Sequence, residues 1–250
     1  MTITIDDRPC GCEPGEFLLD VAVRNGISIP ALCHHGGLPG QGCCRVCIVE
    51  VDIGGWRSIV TACVYPVERE CAVFTNSDNV SRQRGMLLSL LRSLAPESAE
   101  VARLCEEYGA PEFERFTQNE GGKCILCGLC VKACESLGTG AIGTAHRGAL
   151  KAVATPFEEP SMACVGCASC AKVCPTGAIE VEEGPETRTI WKKSLPLKGC
   201  ANCGAVLGTY MELWRTATKA GAEQPDLCDA CRKKAIADVM AATYGIQTVQ

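Results

Sequence analysis

The stretch Cys124-Ile-Leu-Cys127-Gly-Leu-Cys130-Val-Lys-Ala-Cys134 returns forty residues later as Cys164-Val-Gly-Cys167-Ala-Ser-Cys170-Ala-Lys-Val-Cys174-Pro175. Spacings of two, two and three residues put three thiolates on one tight loop, where they can hold three corners of a [4Fe–4S] cube. The fourth cysteine of each run then ligates the other cluster. One ligand set is therefore Cys124, Cys127, Cys130 and Cys174, and the other is Cys134, Cys164, Cys167 and Cys170. Gly128, Gly166 and Ala168 are small enough to let backbone N–H groups approach the sulfurs, which tunes the potential. The tails repeat as well, Gly140-Ala-Ile against Gly177-Ala-Ile, three residues out of step. A duplicated half-domain with pseudo-twofold symmetry is expected over residues 119–184.

The rest of the composition fits a metal protein better than a large apolar core. Among 250 residues there are 21 cysteines and 26 glycines, and only 5% are aromatic. So many cysteines require either disulfides or metals. Met1-Thr-Ile-Thr-Ile-Asp-Asp-Arg8 shows neither the basic start nor the apolar run of a secretory signal, so a cytoplasmic, reducing setting is expected and metals are favoured. No stretch approaches the roughly 18 apolar residues needed to span a bilayer, so direct membrane insertion is not expected. The net charge of −5 is uneven: Arg188 to Lys234 holds nine Lys/Arg against four Asp/Glu.

Residues 2–5 alternate like a strand, Phe17 to Asn25 read as a short helix ended by Gly26, and Arg45–Val51 and Ser58–Cys63 read as strands. These make residues 1–78 a small α+β domain. Residues 81–109 carry helical periodicity, with Leu87, Leu90, Leu91 and Leu94 on one stripe and Val101, Leu104, Cys105 and Tyr108 on another. Pro96 divides them, so 79–118 is expected to be a helical connector.

A second constellation, Cys33-x10-Cys44-x2-Cys47-x15-Cys63, is a long-loop variant of plant-type [2Fe–2S] spacing. The duplicated motif resembles the bacterial two-cluster ferredoxin, departing from it where Cys134 is followed by Glu135 instead of proline. Ile29-Pro-Ala-Leu-Cys-His-His and Gly42-Cys-Cys-Arg-Val-Cys-Ile-Val-Glu-Val51 resemble the N-terminal [2Fe–2S] domain of the complex I large iron–sulfur subunit. They also resemble the short diaphorase-side subunit of NAD-linked hydrogenases and formate dehydrogenases. That resemblance covers roughly 1–182 and implies a β-grasp fold with Cys33, Cys44, Cys47 and Cys63 as ligands, Cys43 being a non-ligand. The large complex I subunit carries a further cluster held by one histidine and three cysteines. Residues 64–123 contain no histidine and only Cys71 and Cys105, so the resemblance is to the short subunit.

The third constellation is Cys200-Ala-Asn-Cys203 with Cys228-Asp-Ala-Cys231. Two such pairs suit a tetrahedral four-cysteine site whose metal supplies folding energy to residues 185–250. A zinc ribbon is expected, with a rubredoxin-like iron site or a further cluster as alternatives. Behind three redox clusters it is expected to dock or stabilise, without binding nucleic acid.

Gly138-Thr-Gly-Ala-Ile-Gly143 matches a dinucleotide fingerprint but lacks its strand and helix context. His34 and His35 adjoin Cys33, within reach of a sulfur or a partner. Cys10, Cys12, Cys43, Cys71 and Cys105 are left without assigned chemistry, as buried free cysteines often are. Clusters without a substrate-pocket signature imply electron transport. The resemblance implies a cytoplasmic relay between an NAD(P)H-binding flavoprotein and a larger catalytic subunit, with one [2Fe–2S], two [4Fe–4S] and one zinc. A stand-alone shuttle and a redox-sensing nucleic-acid regulator are the rival classes.

Overall fold

The computed structural model describes residues 1–115 and 121–244. The expected boundary at 118/119 and the last six residues lie outside the described residues. The chain forms two compact units that alternate along the sequence. The first is Met1–Ala133, Thr144–Val153 and Cys170–Ile179; the second is Cys134–Gly143, Ala154–Ser169 and Glu180–Gln250.

In the first unit, strands β1 (Thr2–Ile5), β2 (Arg8–Gly11) and β3 (Glu16–Phe17) lead into helix α1 (Leu18–Arg24). Strands β4 (Ile48–Ile53), β5 (Trp56–Thr61), β6 (Pro66–Val67) and β7 (Ala72–Phe74) follow. Five strands form a sheet in the order β2-β1-β7-β4-β5, with β1 and β7 parallel and the other pairs antiparallel. Alternation in β1 turns Ile3 and Ile5 inward, where they share a core with Leu18, Leu19, Val21 and Ala22 of α1. Gly26, at φ 68°, ends α1 as expected.

The two expected strands shift by a few residues. Arg45, at φ 61°, cannot continue a strand, so β4 begins at Ile48, after Cys47. β5 gives way at Ala62 to a 3₁₀ turn that carries Cys63. Gly54 and Gly55 both take positive φ and close the β4–β5 hairpin. The register pairs Ile48 with Thr61, so Cys47 and Cys63 emerge at the same end of the hairpin.

Helices α2 (Asp78–Leu94) and α3 (Ala99–Glu107) follow, capped by Ser77 and Ser98, whose hydroxyls accept from Val80 N and Val101 N. On α3 the stripe Val101, Leu104 and Cys105 is buried as expected. On α2 the orientation differs: Val80, Arg84 and Leu88 face inward and Leu90 is exposed. The face bearing Arg84, not the face richest in leucine, is the one that packs on the domain.

Helix α4 (Leu129–Ser136), the ladder of β8 (Gly143–Ala145) with β9 (Ala152–Ala154), and the helical turn α5 (Ser169–Lys172) follow the two cysteine loops. In the second unit, β10 (Val181–Glu183), β11 (Thr187–Ile190), β12 (Lys193–Gly199) and β13 (Val206–Thr209) form an antiparallel sheet in sequence order. Helix α6 (Tyr210–Ala220) starts from a capping box made by Thr209 and Glu212, and α7 (Asp229–Tyr244) closes the described chain.

Candidate metal and cluster sites

The sulfurs of Cys44, Cys33, Cys63 and Cys47 succeed one another within hydrogen-bonding reach, Cys33 touching both Cys44 and Cys63, and Cys63 touching Cys47. Hydrogen bonds from the Cys44 and Cys63 thiols hold Cys33 down, to about 2, while Cys44 and Cys63 are pushed up by the same contacts. The Cys44 N–H also donates to Cys33 Sγ at 3.4 Å. Cys43 points away, exposed, with its thiol on Gln41 O at 3.6 Å. Four converging, buried sulfurs with a backbone donor suit a [2Fe–2S] cluster. His34 faces Asp20 at 3.6 Å and His35 Nδ1 accepts from Gly37 N.

The two cysteine loops share one backbone pattern, with the residues on either side of the second cysteine left-handed. These are Leu126 (φ 53°) and Gly128 (φ 78°) in the first loop, and Gly166 (φ 71°) and Ala168 (φ 56°) in the second. Left-handed Leu126 costs about 1–2 kcal/mol, which a loop wrapped around a cluster can recover. Successive N–H groups then turn toward sulfur, Leu126 N reaching Cys124 Sγ at 3.4 Å. The out-of-step tails have a purpose here: Ala141 N donates to Cys134 Sγ at 3.2 Å, and Ala178 N to Cys174 Sγ at 3.3 Å. The Gly138–Gly143 fingerprint is thereby part of a sulfur-binding turn, followed by β8 rather than by a helix.

Within the first unit Cys174 is close enough to act electrostatically on Cys124, Cys127 and Cys130. Burial raises the Cys127 thiol to about 11 and the Cys130 thiol to about 12, so iron binding must expel their protons. Gln41 lies over this loop. A Cβ on Gly128 would stand 2.8 Å from Gln41 Oε1, and the buried Nε2 of Gln41 has no partner. A buried unpaired N–H beside a glycine in the ligand loop is what a sulfur acceptor would satisfy.

In the second unit Cys164 is electrostatically coupled to Cys167 and Cys134. The carbonyls of this loop are held by side chains from beyond residue 185. Lys193 Nζ donates to Cys164 O at 2.8 Å, Ser161 O at 3.0 Å and Met162 O at 3.2 Å. Arg188 Nη1 donates to Gly166 O at 2.8 Å and Thr209 Oγ1 to Val165 O, while Arg215 Nη2 donates to Gly138 O in the separate turn after Cys134. No sequence pattern marks these four side chains, and none marks Gln41. Cys170 is buried on α5.

The sulfurs of Cys200, Cys203, Cys228 and Cys231 all lie within 4.8 Å of one another, Cys203 and Cys228 at 3.7 Å. A tetrahedral zinc with Zn–S near 2.3 Å requires sulfurs roughly 3.8 Å apart, so the donor set fits such an ion. The first pair occupies the β12–β13 turn, and the second heads α7. N–H donors from Cys228, then Cys203 and Asn202, bring the Cys200 thiol down to about 6.

Residues 1–78 match the model of a 2Fe-2S iron-sulfur cluster binding domain, and residues 119–181 that of a 4Fe-4S dicluster domain. The chain thus carries two iron–sulfur cluster domains. The chain is 31% identical over 214 residues to a subunit of the NADP-reducing hydrogenase of Solidesulfovibrio fructosivorans, covering 73% of this chain and 36% of that one. It is 29% identical over 206 residues to a subunit of an NADH-quinone oxidoreductase of Rhizobium meliloti, covering 71% and 23%. It is 30% identical over 203 residues to the alpha subunit of the NADPH-Fe(3+) oxidoreductase of Geobacter sulfurreducens, covering 72% and 24%. The chain thus spans about a quarter to a third of the length of these relatives. A chain of NAD+-reducing [NiFe]-hydrogenase superposes with TM-score 0.61 at 26% identity, covering 71% of this protein and 85% of that chain. The iron–sulfur protein therefore shares the resemblance read from its cysteines, and residues from 182 on lie outside both domain matches.

Proposed function

We propose that the protein is the relay subunit of a cytoplasmic multi-subunit oxidoreductase, passing electrons between an NAD(P)H-binding flavoprotein and a larger catalytic subunit. The catalytic end is a hydrogenase, a formate dehydrogenase or a bifurcating reductase, and this chain by itself turns over no substrate. Cys33, Cys44, Cys47 and Cys63 hold a [2Fe–2S] cluster in a β-grasp domain, residues 1–78. A connector, 79–118, joins it to the [4Fe–4S] pair in 119–184, with the ligand sets crossed between the repeats. Residues 185–250 form a zinc-bound module that braces the Cys164–Cys167 loop.

One observation carries this reading: the first two redox sites share a core. Cys33 and Cys44 are buried in the same apolar cluster as Cys127, with Leu32, Leu88, Val101 and Leu104 around them. Gln41, from the loop between Cys33 and Cys44, lies against Gly128, and charge on Cys33 acts on Cys127. Cofactors whose ligands share one rigid core are arranged for transfer from one to the next. The names of the relatives support the NAD(P)-linked setting. No helix among the described residues is long and apolar enough to cross a membrane.

The test is anaerobic purification from native cells with identification of the proteins that accompany the chain. A flavoprotein and a larger catalytic subunit in fixed proportion are expected. A lone, cluster-loaded chain would support a stand-alone shuttle instead.

A further inference from the structure

Arg84 on α2 is entirely buried, at 0% exposure. Its Nε donates to Val46 O at 3.1 Å, its Nη2 to Ile48 O at 2.7 Å and Thr75 O at 3.0 Å, and its Nη1 to Asn76 Oδ1 at 2.9 Å. The guanidinium carbon lies 5.0 Å from the centroid of the Tyr108 ring. All four acceptors are neutral oxygens, and among the described residues no carboxylate pairs with Arg84. A guanidinium keeps its proton in proteins, and a buried charge without an opposite charge is costly. A fold that retains one needs a compensating anion.

The acceptors show where that anion lies. Val46 O and Ile48 O flank Cys47, so the guanidinium fork grips the peptides on both sides of a cysteine in the N-terminal site. Burial disfavours the cation, while Tyr108 and the Cys47 thiolate favour it. A [2Fe–2S] cluster with four thiolates is a net anion, and it takes a further negative charge on reduction.

We infer that Arg84 is a positioning residue of the [2Fe–2S] site, fixing the peptides around Cys47 and supplying the buried positive charge that raises the cluster's reduction potential. The step is a one-electron reduction in which the reduced flavin of the flavoprotein proposed above, or the chemical reductant of a titration, gives up one electron, the electron stays on the cluster and Arg84 keeps its proton. A neutral residue at this position makes the reduced cluster harder to form. The inference rests on the cluster assignment under Proposed function.

The experiment is an EPR-monitored redox titration of the whole, anaerobically reconstituted chain as wild type, Arg84→Met, Arg84→Gln and Arg84→Lys, with the [4Fe–4S] signals as internal reference. The neutral variants are expected to shift the [2Fe–2S] reduction equilibrium at least tenfold toward the oxidised form, which for one electron is a midpoint about 59 mV lower. Arg84→Lys should stay within about threefold of wild type, since it keeps the charge while losing the fork. A neutral variant that titrates at the wild-type potential overturns the inference, and so does a lysine variant that shifts as far as methionine. If the neutral variants load no [2Fe–2S] cluster, loading by the lysine variant supports the inference and equal failure of all three overturns it. A wild-type chain without any [2Fe–2S] signal would instead remove the cluster assignment.

Discussion

Gly166→Ala strains the second cysteine loop in two ways at once. Gly166 lies between Cys164 and Cys167 at φ 71°, and a Cβ there would stand 2.9 Å from Thr209 Cγ2 and 3.0 Å from Leu195 Cδ1. The left-handed backbone costs an alanine about 1–2 kcal/mol. Neither neighbour can retreat easily, because Thr209 is 0% and Leu195 1% exposed, and Thr209 is tied to Val165 O and Glu212 N. Overpacking of this kind adds about 1–3 kcal/mol. Gly221→Ala is the control: it has a similar φ of 62° and nothing within 4 Å of its Cβ, so it carries the backbone cost alone. Both costs fall on the loop at Gly166, whereas Gly221 ends α6, so loop opening should differ between the variants by about 2–5 kcal/mol, or roughly 30- to 5,000-fold. Chelator-driven iron release from the anaerobic protein, followed by EPR so that the two [4Fe–4S] clusters are resolved, reads that opening. Gly166→Ala should accelerate loss of one cluster and spare the other, with Gly221→Ala close to wild type. Equal release from both variants would refute the bracing of this loop by residues 185–250.

Three further outcomes follow from the ligand geometry. Cys174→Ala is expected to abolish the cluster of Cys124, Cys127 and Cys130, as counted by iron analysis and EPR; loss of the other cluster alone would reverse the crossed assignment. Cys43→Ser should leave the [2Fe–2S] spectrum unchanged while Cys44→Ser alters it, because only Cys44 turns its sulfur toward Cys33; the opposite result would exchange their roles. Elemental analysis should find one zinc per chain, and stripping it should lower the unfolding temperature and speed iron release from the braced loop. An unchanged melting curve after complete removal would count against a structural metal.

The two cluster-domain types were legible because ligand spacing is a local property: a loop that wraps a cluster needs its sulfurs at fixed intervals whatever surrounds it. The α1 and α3 boundaries were legible for similar reasons, through Gly26 and through the Val101, Leu104 and Cys105 stripe. Helix α2 was misjudged because its inward face is chosen by Arg84, and hydrophobic periodicity assigns an arginine to the outside. The start of β4 and the end of β5 were displaced because Arg45 takes a left-handed φ of 61° and Ala62 opens a 3₁₀ turn, backbone states that the strand pattern does not signal. Lys193, Arg188, Thr209 and Arg215 could not be found in advance. They act on carbonyls, which every residue possesses, so no side-chain pattern signals the partner.

The placement of Cys174 in the same compact unit as Cys124, Cys127 and Cys130 has a consequence for biogenesis. The first three of these cysteines leave the ribosome 44 to 50 residues before the fourth. During that interval the nascent chain holds an incomplete set of thiolates, able to bind iron but not to enclose a cube. With the ligand sets crossed as proposed, cluster delivery to either [4Fe–4S] site would wait until the whole duplicated segment has been synthesised. The maturation machinery meets a chain that already carries both runs, and a ribosome stalled between them would release a product that neither site can rescue.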